Sequence, residues 1–174
     1  VSKDGERLLI TKGAPESILP RCSHIEVKGG IEALDGHLSL VKEKFYDLSR
    51  AGYRILAVAY RRMKAQASYS VEDESDLTFL GLLVFTDPPK GDAHEAIARL
   101  KAMGVDIKVL TGDNELVTKK VCQDIGFKIE GIVTGDELYN MRDDALARVV
   151  EQANIFARVT PAQKDRIMNE LRSH

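Results

Sequence analysis

Apolar and polar positions follow two regimes along this chain, and the change falls at Asp87-Pro88-Pro89-Lys90. Before that point, short apolar runs are separated by glycine and polar breaks. Arg7 to Lys12 predicts a strand that Gly13 ends. Pro15 then opens a short helix through Ile18 and Leu19, because the first helical position needs no backbone N–H. A glycine-rich turn follows around Lys28-Gly29-Gly30. Leu38, Val41, Phe45 and Leu48 recur at helical spacing and predict a helix from Leu38 to Ala51, closed by Gly52. Tyr53 to Tyr60 reads as a strand buried on both sides around Ile55, Leu56 and Val58. Lys64 to Asp76 is polar and serine-rich and predicts a surface loop whose Glu72-Asp73-Glu74 acids could bind a cation, although loose clusters of this kind are usually just solvated. Leu77 to Phe85 is the longest apolar run, a strand that the two prolines cannot continue.

Beyond the prolines, strands and helices alternate. The pattern predicts a helix from Asp92 to Met103, a strand from Val105 to Leu110 and a helix from Asn114 to Ile125. A short strand near Ile132-Val133, a helix within 143–152, the strand Ile155-Phe156-Ala157 and a final helix from Ala162 complete it. Such alternation implies a parallel sheet with helices on both faces, so the fold class is α/β. The expected division is residues 1–85 and residues 86–174. The chain begins on strand-like sequence and ends in helix-like sequence, which suggests a piece of something longer. Partial domains of that kind are expected to expose a sheet edge and to self-associate.

Composition narrows the partners. The chain has 174 residues, 44% hydrophobic and 30% charged, with a formal net charge of −2, the profile of a soluble globular protein. Near-neutral charge and the lack of tryptophan argue against nucleic-acid binding. Cys22 and Cys122 form no Cys-x-x-Cys or Cys/His cluster, so no metal site is expected and both read as buried reduced thiols. No apolar run approaches the length of a membrane span.

Candidate chemistry gathers where predicted strands end. Thr111-Gly112-Asp113 follows the apolar run to Leu110 and opens a helix, the place where backbone N–H groups and the helix dipole hold phosphate. Asp113 or Asn114 could equally cap that helix. Lys164 lies in the first turn of a helix after the strand ending at Ala157-Arg158-Val159, where it can reach the same crevice as a point charge. The plain alternative is a solvated lysine beside Asp165 and Arg166. Lys12-Gly13-Ala14-Pro15-Glu16 sets a lysine at a strand end, next to a glycine that lets a ligand approach the backbone. Arg54, entering a strand after Gly52, can fork onto phosphate oxygens or sit at the surface.

Taken in order, Lys12-Gly13-Ala14-Pro15-Glu16, Gly52-Tyr53-Arg54, Asp87-Pro88-Pro89-Lys90, Thr111-Gly112-Asp113 and Phe156-Ala157-Arg158-Val159-Thr160-Pro161-Ala162-Gln163-Lys164 resemble successive signatures of the P-type cation-transporting ATPases. The resemblance covers nearly the whole chain. Asp73-Glu74-Ser75-Asp76-Leu77 and Thr111-Gly112-Asp113-Asn114-Glu115-Leu116-Val117, running on to Lys120-Val121-Cys122, resemble the magnesium-transporting branch. The resemblance implies the later part of a nucleotide-binding domain, a partial α+β domain, up to Phe85. After it would come the middle of a phosphorylation domain with a haloacid-dehalogenase-like, Rossmann-like fold.

By the same resemblance, Lys12, Gly13 and Arg54 contact ATP. Thr111 and Gly112 hold the transferred phosphoryl group and Lys164 stabilises its charge. Asp113 and Arg158 approach the nucleotide on domain closure, and Asp87 lies at the hinge. ATP and Mg2+ are the implied cofactors. The implied partners are the actuator domain and membrane helices of the same pump, on the cytoplasmic side of a membrane. The family's nucleophile belongs to an Asp-Lys-Thr-Gly-Thr motif and its magnesium to a Gly-Asp-Gly-x-x-Asp segment. Neither motif occurs in this sequence, so this stretch alone is expected to be inactive. A non-catalytic nucleotide-binding or regulatory module is one alternative. A phosphatase of the dehalogenase-like fold is another, although Asp143-Asp144, the only adjacent aspartates, fall in a helical stretch.

Overall fold

The computed structural model describes residues 2–3, 6–66 and 68–172. The architecture is α/β, and the chain gathers into two compact units, residues 1–48 with 53–86 and residues 49–52 with 87–174.

In the first unit, strands β1 (Ser2–Lys3), β2 (Glu6–Gly13), β3 (Cys22–Val27), β4 (Gly30–Ala33), β5 (Arg54–Met63) and β6 (Leu77–Phe85) form one six-stranded sheet. Its spatial order is β1-β2-β5-β6-β3-β4, antiparallel throughout except for the parallel pair β3–β6. Helices α1 (Pro15–Ile18) and α2 (Leu38–Arg50) accompany it. Side chains alternate between faces along a strand, and Ile55, Ala57 and Ala59 of β5 are buried while Leu56 and Val58 are only half-buried. The expectation that β5 is covered on both sides is therefore corrected. Ala57 and Ala59 pack with Leu77, Phe79, Ile25, Ile18, Leu19 and Leu34, and Leu38 and Val41 of α2 close over this core. An antiparallel sheet can leave its second face open in this way.

The β3–β4 hairpin went unpredicted because its residues are nearly all exposed and only Ile25 is buried. Its turn rests on Gly29 and Gly30, with φ of 114° and 151°, a left-handed backbone that glycine adopts without steric cost.

The second unit carries a parallel three-stranded sheet in the order β7-β9-β8, from β7 (Val109–Leu110), β8 (Ile132–Thr134) and β9 (Ile155–Ala157). Helices α3 (Ala93–Ala102), α4 (Glu115–Asp124), α5 (Gly135–Tyr139), α6 (Asp143–Gln152) and α7 (Pro161–Arg172) surround it. Adjacent residues of β9 serve opposite faces. Ile155 packs with Cys122 and Phe127, with Ile97, Val109 and Ile132 alongside. Phe156 packs with Leu138, Leu146, Val150 and Ile167, with Leu110 and Val133 alongside. Helices α3 and α4 thus cover one face, and α5, α6 and α7 the other.

The strand predicted from Val105 shrinks to Val109–Leu110. The end of α3 takes the earlier residues: Gly104, at φ 75°, donates to the Lys101 carbonyl and Val105 to that of Leu100, a helix-terminating arrangement. Cys122 is buried and Cys22 half-buried, both as free thiols. Burial pushes the Cys22 thiol up to about 11, so it stays protonated at neutral pH. No helix among the described residues is long and apolar enough to cross a membrane.

Candidate functional site

In the second unit, the turn after β7 is tied to the segment after β9. The Thr111 N–H donates to the Phe156 carbonyl, the Val159 N–H to the Thr111 carbonyl and the Arg158 N–H to the Asp113 carbonyl, at 2.9, 3.0 and 2.9 Å. Thr111, Gly112, Asp113 and Arg158 are thereby held together at the carboxyl ends of two adjacent parallel strands, the position where open α/β sheets bind ligands. The Thr111 hydroxyl donates to the Asp113 carboxylate and accepts from the Asp113 N–H, both at 3.1 Å. Asn114 takes the capping role: its Oδ1 accepts from the Val117 N–H at 2.9 Å. The helix that follows is capped without Asp113.

Arg158 stands on left-handed backbone, φ 55°, a conformation uncommon for a side-chain-bearing residue. Its Nε donates to Glu115 Oε2 at 2.7 Å, and both side chains are half-buried. Burial pushes the Glu115 carboxyl upward, but its own N–H in the first turn of α4 and the Arg158 guanidinium outweigh that and hold it below the ordinary value.

Lys164 lies in the first turn of α7, its N–H bonded to the Thr160 carbonyl. Its side chain is half-buried, and the ammonium has no ion-pair or hydrogen-bond partner among the described residues. Its neighbour Arg166 is instead spent on structure, donating to the Leu138 and Met141 carbonyls and pairing with Asp143. The start of α7 is set by Gln163, whose Oε1 accepts from the Thr160 N–H at 2.9 Å and whose Nε2 donates to the Gly135 carbonyl at 2.7 Å. Asp143 and Asp144 open α6 and are paired with Arg166 and Arg142.

The remaining candidates lie elsewhere. Asp87 is exposed just beyond β6. In the first unit, Lys12 of β2 pairs in register with Val58 of β5, and Arg54 pairs with Phe85 of β6. Alternation puts Lys12, Arg54, Leu56 and Val58 on the open face. Leu83 and Phe85 share that face and are 46% and 48% exposed. Gly81, opposite Val58, would meet nothing within 4 Å if it carried a Cβ, so the floor dips between the apolar side chains. Arg54 and Val58 lie about 13 Å apart along the strand at ~3.3 Å per residue, so the two cations bracket an apolar surface of nucleotide dimensions. Gly13 ends β2 with the Ile18 side chain packed against it.

A family model described as P-type ATPase, cytoplasmic domain N, matches residues 1–92. This chain belongs to the P-type ATPase family. Among its relatives, the magnesium-transporting ATPase, P-type 1, of Salmonella typhimurium strain LT2 is 40% identical over 99% of this chain and 20% of its own length. The protein of the same name from Escherichia coli K12 is 40% identical over 94% of the chain and 18% of its own length. Calcium-transporting ATPase 1 of Lactococcus lactis is 31% identical over 95% of the chain and 19% of its own length. The chain spans about a fifth of the length of these P-type ATPases.

Sequence reasoning missed three features that shape the second unit's cluster. Thr160-x-x-Gln163 is a capping box and was readable as one. Glu115 pairs with a residue far along the chain, and no local pattern signals that. Gly135 reads as an ordinary turn glycine, yet a Cβ there would lie 2.3 Å from the Arg158 carbonyl oxygen.

Proposed function

We propose that this chain is the ATP-handling part of a P-type cation pump, with magnesium as the cargo. The identity to magnesium-transporting relatives, 40% against 31% for a calcium-transporting one, favours that ion. Residues 1–85 act as the later part of a nucleotide-binding domain. Residues 86–174 act as the central part of a phosphorylation domain of the haloacid-dehalogenase-like fold. The remaining parts, an actuator domain and membrane helices, come from the rest of the polypeptide at the cytoplasmic side of a membrane.

The observation that carries this reading is the cluster at the carboxyl ends of β7 and β9. There a threonine and a glycine lie on a turn bonded to the segment after β9, and α7, which follows that segment, carries in its first turn a half-buried lysine without a partner among the described residues. A transferring phosphoryl group spreads negative charge over its oxygens, and fixed donors aimed at that charge are the main catalytic help a protein can give. Thr111 and Gly112 bind and orient the group, and the Lys164 ammonium neutralises it. Asp113 and Arg158 hold the phosphate chain of the nucleotide. In the first unit, Leu56, Val58 and the dip at Gly81 accept the flat apolar base, with Lys12 and Gly13 contacting the nucleotide at one end of that floor and Arg54 meeting the phosphates at the other. Asp87 belongs to the hinge of the moving parts.

The group is passed to an aspartate of the Asp-Lys-Thr-Gly-Thr motif, supplied by another part of the polypeptide. Magnesium supplies charge neutralisation at the phosphates. By the family resemblance its ligands belong to the Gly-Asp-Gly-x-x-Asp segment, supplied by another part of the polypeptide.

The test uses the full-length protein in lipid vesicles. ATP hydrolysis is expected, and Lys164→Ala should lower its maximal rate by about 100-fold or more, as for loss of one charge-stabilising donor. An unchanged rate in that variant would overturn the reading.

A further inference from the structure

Arg158 is fixed at its backbone and long at its side chain. Its N–H is bonded to Asp113, its carbonyl lies where Gly135 leaves no room for a Cβ, and its φ is 55°. The Cα therefore has one place to be. The guanidinium stands at the end of a flexible stem, and ordering such a stem at the moment a ligand arrives weakens binding. Glu115 meets that need from α4. Its Oε2 lies 2.7 Å from Nε, and a bond through Nε sets the plane of the whole fork. Asn114, capping α4, in turn sets where Glu115 begins.

We propose that Glu115 is the positioning residue for Arg158: it holds the guanidinium in place at the Thr111–Asp113 turn before the nucleotide's phosphate oxygens arrive. This rests on the reading of the turn as a phosphoryl site. The ligand class is a nucleoside triphosphate, met through its anionic oxygens, and Glu115 itself touches none of it. A carboxylate this near an anion site is otherwise unfavourable, since it opposes the ligand's charge. Its value lies in orientation, and charge alone would argue for its removal.

The experiment is steady-state ATP hydrolysis by the full-length protein, with Glu115→Gln, Arg158→Ala and the double variant compared with wild type. Glu115→Gln should raise the half-saturating ATP concentration about fivefold to tenfold, the loss expected on freeing one long side chain, with maximal rate held within about twofold. Arg158→Ala should do at least as much. In its background Glu115→Gln should add nothing, because the glutamate acts only through the arginine. An unmoved or lowered half-saturating concentration in Glu115→Gln would overturn the proposal, the lowered value meaning that Glu115 restrains Arg158 from the nucleotide. Equal penalties in both backgrounds would overturn it too, as would a fall in maximal rate and thermal midpoint without a change in half-saturation. Should the wild-type protein fail to hydrolyse ATP, the phosphoryl-site reading itself falls and this proposal falls with it. An active wild type with an unaffected Glu115→Gln sinks this proposal alone.

Discussion

Thr11 sits on the buried face of β2, paired with Ala59, one residue before the lysine assigned to the nucleotide. It is 8% exposed, and its hydroxyl has no hydrogen-bond partner among the described residues. An orphaned buried hydroxyl forfeits its bonds to water with nothing in return. Valine has nearly the same shape and a β-branched stem suited to a strand. Thr11→Val should therefore be neutral or stabilising by up to about 1 kcal/mol, read as an unchanged or higher urea midpoint at unchanged slope. A midpoint shifted down by the equivalent of about 1 kcal/mol or more would show that the hydroxyl is satisfied. Lys12 and Thr11 also mark the limit of reading single residues. The strand was legible, but which neighbour faces the core depends on the phase of the pleat, and that is set by pairing with β5.

Elements were legible where one face is buried, and illegible where none is. Helix α2 carries apolar periodicity and strand β6 a long apolar run because a core stands against them. The β3–β4 hairpin is held by backbone ladders and leaves little apolar trace. The helix α5 escaped notice although Thr134-x-x-Glu137 caps it, with the Thr134 N–H bonded to Glu137 and the Glu137 N–H to the Thr134 hydroxyl. Between elements, Gly135 is the sharpest constraint. It opens α5 at the end of β8, against the Arg158 carbonyl at the end of β9. Its φ is not positive, so space is the reason for glycine there. Gly135→Ala would press a methyl into that carbonyl and shift the segment bearing Arg158, at a cost of about 1–3 kcal/mol for overpacking. Thermal unfolding should show the loss, and the half-saturating ATP concentration should rise as the Arg158 segment moves. A variant as stable and as active as wild type would mean that the two turns move apart freely.

At the scale of the whole molecule, each unit offers one chemically distinct surface. The first presents an apolar floor bracketed by Lys12 and Arg54, and the second presents the Thr111–Asp113 turn, with Lys164 in the first turn of α7. The sequence predicts a shared crevice for the Thr111 turn and Lys164, but the first surface is not readable there. The strand order β2-β5-β6 brings Lys12, Val58 and Gly81 side by side from distant parts of the chain, and only pairing reveals it. The motifs named the residues, and the sheets supply their company. If the reading of both surfaces is right, their contributions to turnover separate. Arg54 binds phosphates equally before and during reaction, so Arg54→Ala should raise the half-saturating ATP concentration about 10-fold, the loss of a charge-assisted bond. The maximal rate should survive at saturating ATP. Lys164 meets charge that develops in the transition state, so Lys164→Ala should lower the maximal rate with half-saturation within about threefold. One residue acts on binding and the other on the chemical step, so the double variant should show both penalties in full, multiplied in the ratio of maximal rate to half-saturation. A double variant no worse than Lys164→Ala alone would mean that the two cations serve one step. The assignment of base and phosphates to the open face of β2, β5 and β6 would then fail.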